Sequence, residues 1–346
     1  MKKAFALVMA LSMAFSLVAC GGQTASDAAS SSASDAASAS SSVSAPAEGG
    51  VKTGLGIAAT AAVETEASAD ENGKVKTNAT AAAVLVDAEG RILSAKLDMV
   101  QMASQFTTEG AVTPDTSSDV QSKQDLGADY GMIAKSEIGK EWFEQADAFA
   151  AYVVGMTADE VLALPAESSE IADLAATCTI GISDFQAAIA AAVNNAQELG
   201  ASADDQLSLA LVSDITGSDA SADEDGKAQH NTTYAVTTTN AEGKITSSIL
   251  DETQSKYTVT VEGVAAAASE TVASKKQLGA DYGMIAKSEI GKEWFEQADA
   301  FAAYVVGMTA DEVMALPAES SEIADLAATC TIGIDSFKAA LVKAAA

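Results

Sequence analysis

Residues 78–100, NATAAAVLVDAEGRILSAKLDMV, place two apolar runs on either side of Asp87-Ala-Glu-Gly-Arg91. Runs of this kind around a short glycine-containing break are the pattern of a β-hairpin. The segment returns as NTTYAVTTTNAEGKITSSILDET at 231–253, and the surrounding residues 67–101 and 220–254 agree at 18 of 35 positions. Further along the agreement tightens: residues 126–182 reappear at 278–334 with a single change, Leu162 against Met314. A period this long is a tandem duplication of a domain-sized unit and not a solenoid. The expected layout is one repeat domain over 50–200 and a second over 201–346, each long enough for its own core.

Within each unit the pattern changes once. The first half carries strand-like runs (TGLGIAATAAV, NATAAAVLVD, RILSAKLDMV), and the second half is helical. In KSEIGKEWFEQADAFAAYVVG (135–155), Ile138, Trp142, Phe143, Ala146, Phe149, Ala150 and Val153 recur at helical spacing, and Gly155 is placed to close the helix. Thr157-Ala-Asp-Glu160 is a capping box for a short helix stopped by Pro165. Residues 177–182, Thr-Cys-Thr-Ile-Gly-Ile, alternate like a strand, with Cys178 and Ile180 on one face and Thr177 and Thr179 on the other. Ser183-Asp-Phe-Gln186 reads as a second capping box, opening a helix that ends at Gly200. The expected fold class is α+β: two tandem copies of a small antiparallel sheet with packed helices, after a disordered tether.

The chain starts MKKAFALVMALSMAFSLVACGG, with Lys2 and Lys3 before an apolar run that ends in Leu17-Val18-Ala19-Cys20. This is the pattern of a lipoprotein signal peptide over residues 1–19, and Cys20 is expected to carry a diacylglycerol and become the new N-terminus. Residues 20–49 would then be the lipidated cysteine and a flexible tether of Ser, Ala, Gly and Asp, in which Val43 is the one large aliphatic side chain. Such a protein sits on the extracytoplasmic face of the cell membrane, held by its lipid. Loss of residues 1–19 removes two lysines and no acid, so the formal charge moves from -30 to -32. A charge of that sign excludes nucleic acid, whose binding needs clustered Lys and Arg, and it argues against electrostatic adhesion to the membrane.

Most catalytic chemistry is missing from the residue inventory. With Cys20 lipidated, Cys178 and Cys330 remain at equivalent positions in different repeats, so neither repeat can form its own disulfide. The simplest reading of each is a small apolar side chain in the core. His230 is the single histidine and its counterpart is Thr77, which leaves no His pair, no Cys-His cluster and no hydrolytic triad common to both repeats. SADENG (68–73) and SADEDG (221–226) lack the glutamate of a calcium loop and read as solvated turns. LGADYG at 126 and 278 lacks the lysine of a phosphate loop. The aromatic residues Tyr130, Trp142, Phe143 and Tyr152, with their copies Tyr282, Trp294, Phe295 and Tyr304, could floor a ligand cleft or stack on a flat ring. The helical spacing of Trp142 and Phe149 favours core packing over a ligand floor for those two.

The order of parts, NATAAAVLVDAEGRILSAKLD, then IGKEWFEQADAFAAYVVGMTADEV, then an Ala-Thr-X-Thr stretch before a C-terminal helix, resembles the extracytoplasmic FMN-binding domain family. The whole chain is also similar to tandem-repeat lipoproteins of Gram-positive anaerobes. The resemblance implies FMN joined through a phosphoester to Thr177 and Thr329, with Thr179, Thr331, Tyr130 and Tyr282 at the flavin sites. It further implies an extracytoplasmic redox partner, electron transfer and no catalytic residues of the chain's own. Ala175 and Ala327 stand where that family has glycine, and Leu174 and Leu326 where it has Ser or Thr. The alternatives are binding of another small ligand, or a structural or interaction lipoprotein that keeps the fold without flavin.

Overall fold

The computed structural model describes residues 50–114 and 120–345; the expected signal peptide, the expected lipidation at Cys20 and the expected tether fall outside them. The described residues fall in one compact unit. The first repeat forms β1 (Lys52–Thr65), β2 (Gly73–Val86), β3 (Ile92–Phe106) and β4 (Val112–Pro114), an antiparallel sheet in sequential order. Helices α1 (Lys123–Leu126), α2 (Trp142–Tyr152), α3 (Ala158–Leu162) and α4 (Ser183–Asn194) follow. The second repeat gives β5 (Gln206–Ser218), β6 (Gly226–Thr239), β7 (Ile245–Val259) and β8 (Ala265–Ala267), then α5 (Lys275–Leu278), α6 (Trp294–Tyr304), α7 (Ala310–Met314) and α8 (Asp335–Ala345). The expected α+β class is the observed one, with two alike sheet-and-helix units.

The opening hairpin forms as its residues require. Gly90 takes φ 77°, and the Asp87 carboxylate accepts the N–H groups of Glu89 and Arg91 at 3.1 and 2.7 Å. Between β1 and β3, strand β2 is buried on both faces. Ala79, Ala81, Ala83 and Leu85 pack against the second repeat's sheet, while Ala82, Val84 and Val86 lie under the helices. That double burial is why the strand reads as a continuous apolar run instead of an alternating one. The layers are therefore helices, sheet, sheet, helices, and the two repeats share the core between their sheets.

A polar cluster crosses this shared core. His230 Nδ1 lies 2.9 Å from Thr77 Oγ1, and its Nε2 lies 2.9 Å from Ser104 Oγ. The Tyr257 hydroxyl lies 2.8 Å from Thr77 Oγ1 and donates to the Lys76 carbonyl at 2.6 Å. Thr77 and His230 are repeat equivalents, as are Ser104 and Tyr257. The Ser104–His230 contact is thus the counterpart of the Tyr257–Thr77 contact, and Thr77–His230 is its own counterpart. Reciprocity of this kind is the mark of a two-fold related interface. Small residues of the first repeat meet large residues of the second, so the cluster is filled from one side. The sheet edges are also joined: Ala61 N–H donates to Glu270 and Val272 N–H to Ala59, both at 3.0 Å.

Three local expectations are corrected. Residues 177–182 leave a turn at Thr177 as an irregular segment and not a strand: the Leu174 carbonyl accepts the N–H groups of both Thr177 and Cys178 at 2.8 Å, and the Thr179 N–H goes to the Gln145 side chain at 2.9 Å. The segment crosses the helix layer, where no strand edge is offered to it beyond the single bridge between Glu167 and Gly181. Helix α2 starts at Trp142, so Ile138 lies in a preceding turn; Glu141 caps the helix and its carboxylate accepts Met132 N–H at 2.8 Å. Helix α4 ends at Asn194 and not at Gly200, and has Ile182 at its N-cap with no side-chain cap, because Gln186 is instead buried and donates to the carbonyls of Val161 and Leu164 at 3.1 and 2.8 Å. The Thr157–Glu160 capping box forms as read.

Candidate functional site

A cavity of about 640 Å³ opens in the first repeat between the outer face of the sheet, the 127–132 loop and the heads of α2 and α4. Its position follows from one buried carboxylate. Asp98 accepts the N–H groups of Met99 and Gln124 at 2.7 and 3.1 Å, fixing α1 against the sheet. Burial pushes the Asp98 carboxyl up to about 6, and its repeat equivalent Asp251 likewise. Ser122 and Asp125 complete the capping box of α1. So held, α1 aims Lys123 into the cavity.

Lys123 is 7% exposed and its Nζ lies 4.7 Å from the ring centre of Tyr130 and 5.2 Å from that of Trp142. Among the described residues no carboxylate pairs with it. The rings offer it a cation–π contact, which offsets part of the cost of burying a charge and leaves its need for an anion unmet. Trp142 is itself fixed edge-on against Phe185, with centroids 5.7 Å apart. Met99, Met132 and Ile180 complete an apolar wall, and Lys135 and Asp184 also line the cavity.

The second repeat builds the same lysine–aromatic cage, with Ser336 in the place of Asp184 and a different neighbour for the lysine. Lys275 Nζ lies 5.1 Å from the Tyr282 ring and 4.9 Å from the Trp294 ring, and Trp294 meets Phe337 at 5.8 Å. There Glu252, the equivalent of Met99, pairs with Lys275 at 2.9 Å. The cation is neutralised from within the chain.

The residues that the flavin resemblance points to are only partly brought together. Tyr130 lines the cavity, and Tyr282 lies edge-on to Trp294 at 6.4 Å. Thr177, Thr179, Thr329 and Thr331 are half-buried and committed elsewhere. The hydroxyls of Thr177 and Thr329 donate to the carbonyls of Leu174 and Leu326 at 3.2 Å. Thr179 and Thr331 give both N–H and hydroxyl to the buried side chains of Gln145 and Gln297. A phosphoester at Thr177 would lose its donated bond, and Thr177 does not border the cavity that Tyr130 lines. These residues do not fit a covalent FMN. Cys178 and Cys330 are fully buried, and burial raises their thiol pKa, which suits core packing over reactivity.

Lys123 and Met99 are not singled out by motif reading. The signal was nevertheless present: Ser122-Lys123 recurs as Ser274-Lys275, and Met99 stands opposite Glu252 within the aligned block. Compared with known proteins, the chain matches no family model, no curated protein and no solved structure.

Proposed function

We propose that the chain is a lipid-anchored extracytoplasmic protein that binds a small organic ligand non-covalently in the first-repeat cavity. The observation that carries this reading is Lys123: a buried cation with no carboxylate partner among the described residues, opening on a cavity within the size range of ligand sites. A charge kept in that state is a cost to folding, and the cost is recovered when a ligand supplies the partner. Binding and not catalysis is the activity proposed. The lipid and tether would present the site outside the membrane.

The reading is tested by thermal shift of the mature chain against a panel of small organic acids, amines and neutral aromatic compounds, beside Lys123→Met. At least one class should raise the melting temperature of the parent and leave the variant unmoved; no shift with any class would sink it. Lys123→Met itself should be as stable as the parent or more so, because an apolar chain of similar length replaces an unpaired buried charge. Flavin is tested separately: the chain co-produced with an FMN transferase should show no added FMN mass. The anchor is tested by Cys20→Ala, which should move the protein from the membrane fraction to the soluble one.

A further inference from the structure

Two residues of the first-repeat lining differ in the second repeat, Met99 against Glu252 and Asp184 against Ser336, and the one that meets the lysine identifies the ligand's head group. Lysine, tyrosine, tryptophan and phenylalanine take matching places in both, with the ring distances given above. In the second repeat the remaining place belongs to the carboxylate of Glu252, buried with Lys275 at side-chain exposures of 14% and 9%. In the first repeat Met99 stands on the same strand position and brings no charge. Glu252 is thus an internal picture of how this cage holds a carboxylate.

We propose that the first repeat binds an organic carboxylate with an apolar, ring-bearing body, its carboxylate taking at Lys123 the place that Glu252 takes at Lys275. The second repeat, already filled by its own glutamate, is closed to that ligand. The inference rests on the cavity-binding reading above. A second feature of the cavity agrees with it. Helix α4 begins there without a side-chain cap, Gly181 and Phe185 line the cavity, and the free N–H groups and dipole of the helix head favour an anion beside Lys123. Asp184, in the first turn of α4, is the opposing charge and disfavours ligands carrying more than one anionic group near that wall. Tyr130, Trp142, Phe185 and the two methionines receive the ring.

Isothermal titration calorimetry on the mature chain tests this with two carboxylates, hydrocinnamate and naphthoate, and their primary amides. The parent should bind one equivalent of a carboxylate and bind the matching amide about tenfold more weakly or worse, as expected when a charge-assisted pair is lost. Met99→Glu, which installs the pair that the second repeat already accommodates, should lose binding by about tenfold or more. Glu252→Met should add a second equivalent. Circular dichroism confirms that each variant is folded; should Glu252→Met not fold, Met99→Glu and Lys123→Met decide. Equal affinity for acid and amide, or undiminished binding by Met99→Glu, would overturn the carboxylate assignment and leave the cavity reading standing. If neither acids nor amides bind the parent, the carboxylate assignment falls, and the thermal-shift panel decides the cavity reading.

Discussion

His230 stays neutral inside the fold, because burial pushes its pKa down to about 4 and its two ring nitrogens are taken up by Thr77 and Ser104. In the unfolded chain it titrates near 6.5. Below that pH the unfolded state takes up a proton that the fold refuses, so this residue's contribution to stability declines as pH falls from about 6.5 towards 4. Asp98 and Asp251 act the opposite way. Burial holds their pKa at about 6 against an ordinary 3.8, so the fold takes up protons first and stability rises as pH falls from about 6 to 4. His230→Asn should therefore steepen the gain in urea midpoint on acidification through this window, and Asp98→Asn should flatten it. Thr77→Val should cost about 1–3 kcal/mol at neutral pH, since it leaves the buried Nδ1 of His230 without a partner and removes one of the two bonds of the Tyr257 hydroxyl. Residues of this kind are legible as identities and not as partners. The single histidine opposite Thr77 was visible in the aligned repeats, but their contact exists only because the two sheets meet face to face.

Strand β1 runs so close beneath α4 that no side chain fits between them. A Cβ added at Gly56 would stand 1.9 Å from the Ala188 carbonyl oxygen, and one at Gly54 would stand 2.0 Å from that of Ala192. Gly56→Ala should destabilise the chain by about 1–3 kcal/mol or more, because backbone on both sides has to move; chemical denaturation measures it. The second repeat carries Ser208 and Ala210 at the matching register, opposite Thr237 and Ala235, so its helix tolerates there what the first cannot. Glycine inside a strand run marks a close approach, and the sequence carries that mark. It does not say what approaches. The strands, the 87–91 and 240–244 turns and the α2 and α3 helices are written in local residue patterns. Thr-Cys-Thr-Ile-Gly-Ile is the counter-example: its alternation satisfies the local rule for a strand, but a strand also needs an edge, and edges belong to the tertiary fold.

The two sheets cover each other, which gives neither repeat an interior complete without its neighbour. Leu85, Met102 and Phe106 of the first repeat are buried in the same core as Leu211, Tyr234 and Val259 of the second. Residues 50–200 produced alone should therefore fail to yield a folded monomer, and mixing with a 201–346 fragment should restore a one-to-one complex; size-exclusion chromatography and near-ultraviolet circular dichroism report both. The duplication was plain in the sequence, and so were the layers within each copy. The pairing of the copies was not, because a buried face and a face awaiting a partner carry the same apolar residues. The candidate site was hidden for a related reason: a lysine beside aromatic residues is common, and this pair is set apart only by Glu252 meeting Lys275 where the first copy has Met99.

The reciprocal contacts of Thr77, His230, Ser104 and Tyr257 bear on how the gene can change. The helices of each repeat pack on the sheet face turned away from the shared core, so gene conversion copying 126–182 over 278–334, or the reverse, preserves the fit of the sheets. A conversion tract reaching into 73–106 would set Thr opposite Thr and Ser opposite Thr, opening a void, and the reverse tract would crowd two imidazoles and two phenols into the same space. Such tracts should be eliminated, which leaves a conversion boundary downstream of β3. The near-identity of the helical halves beside the divergence of the strands is the trace expected of that boundary.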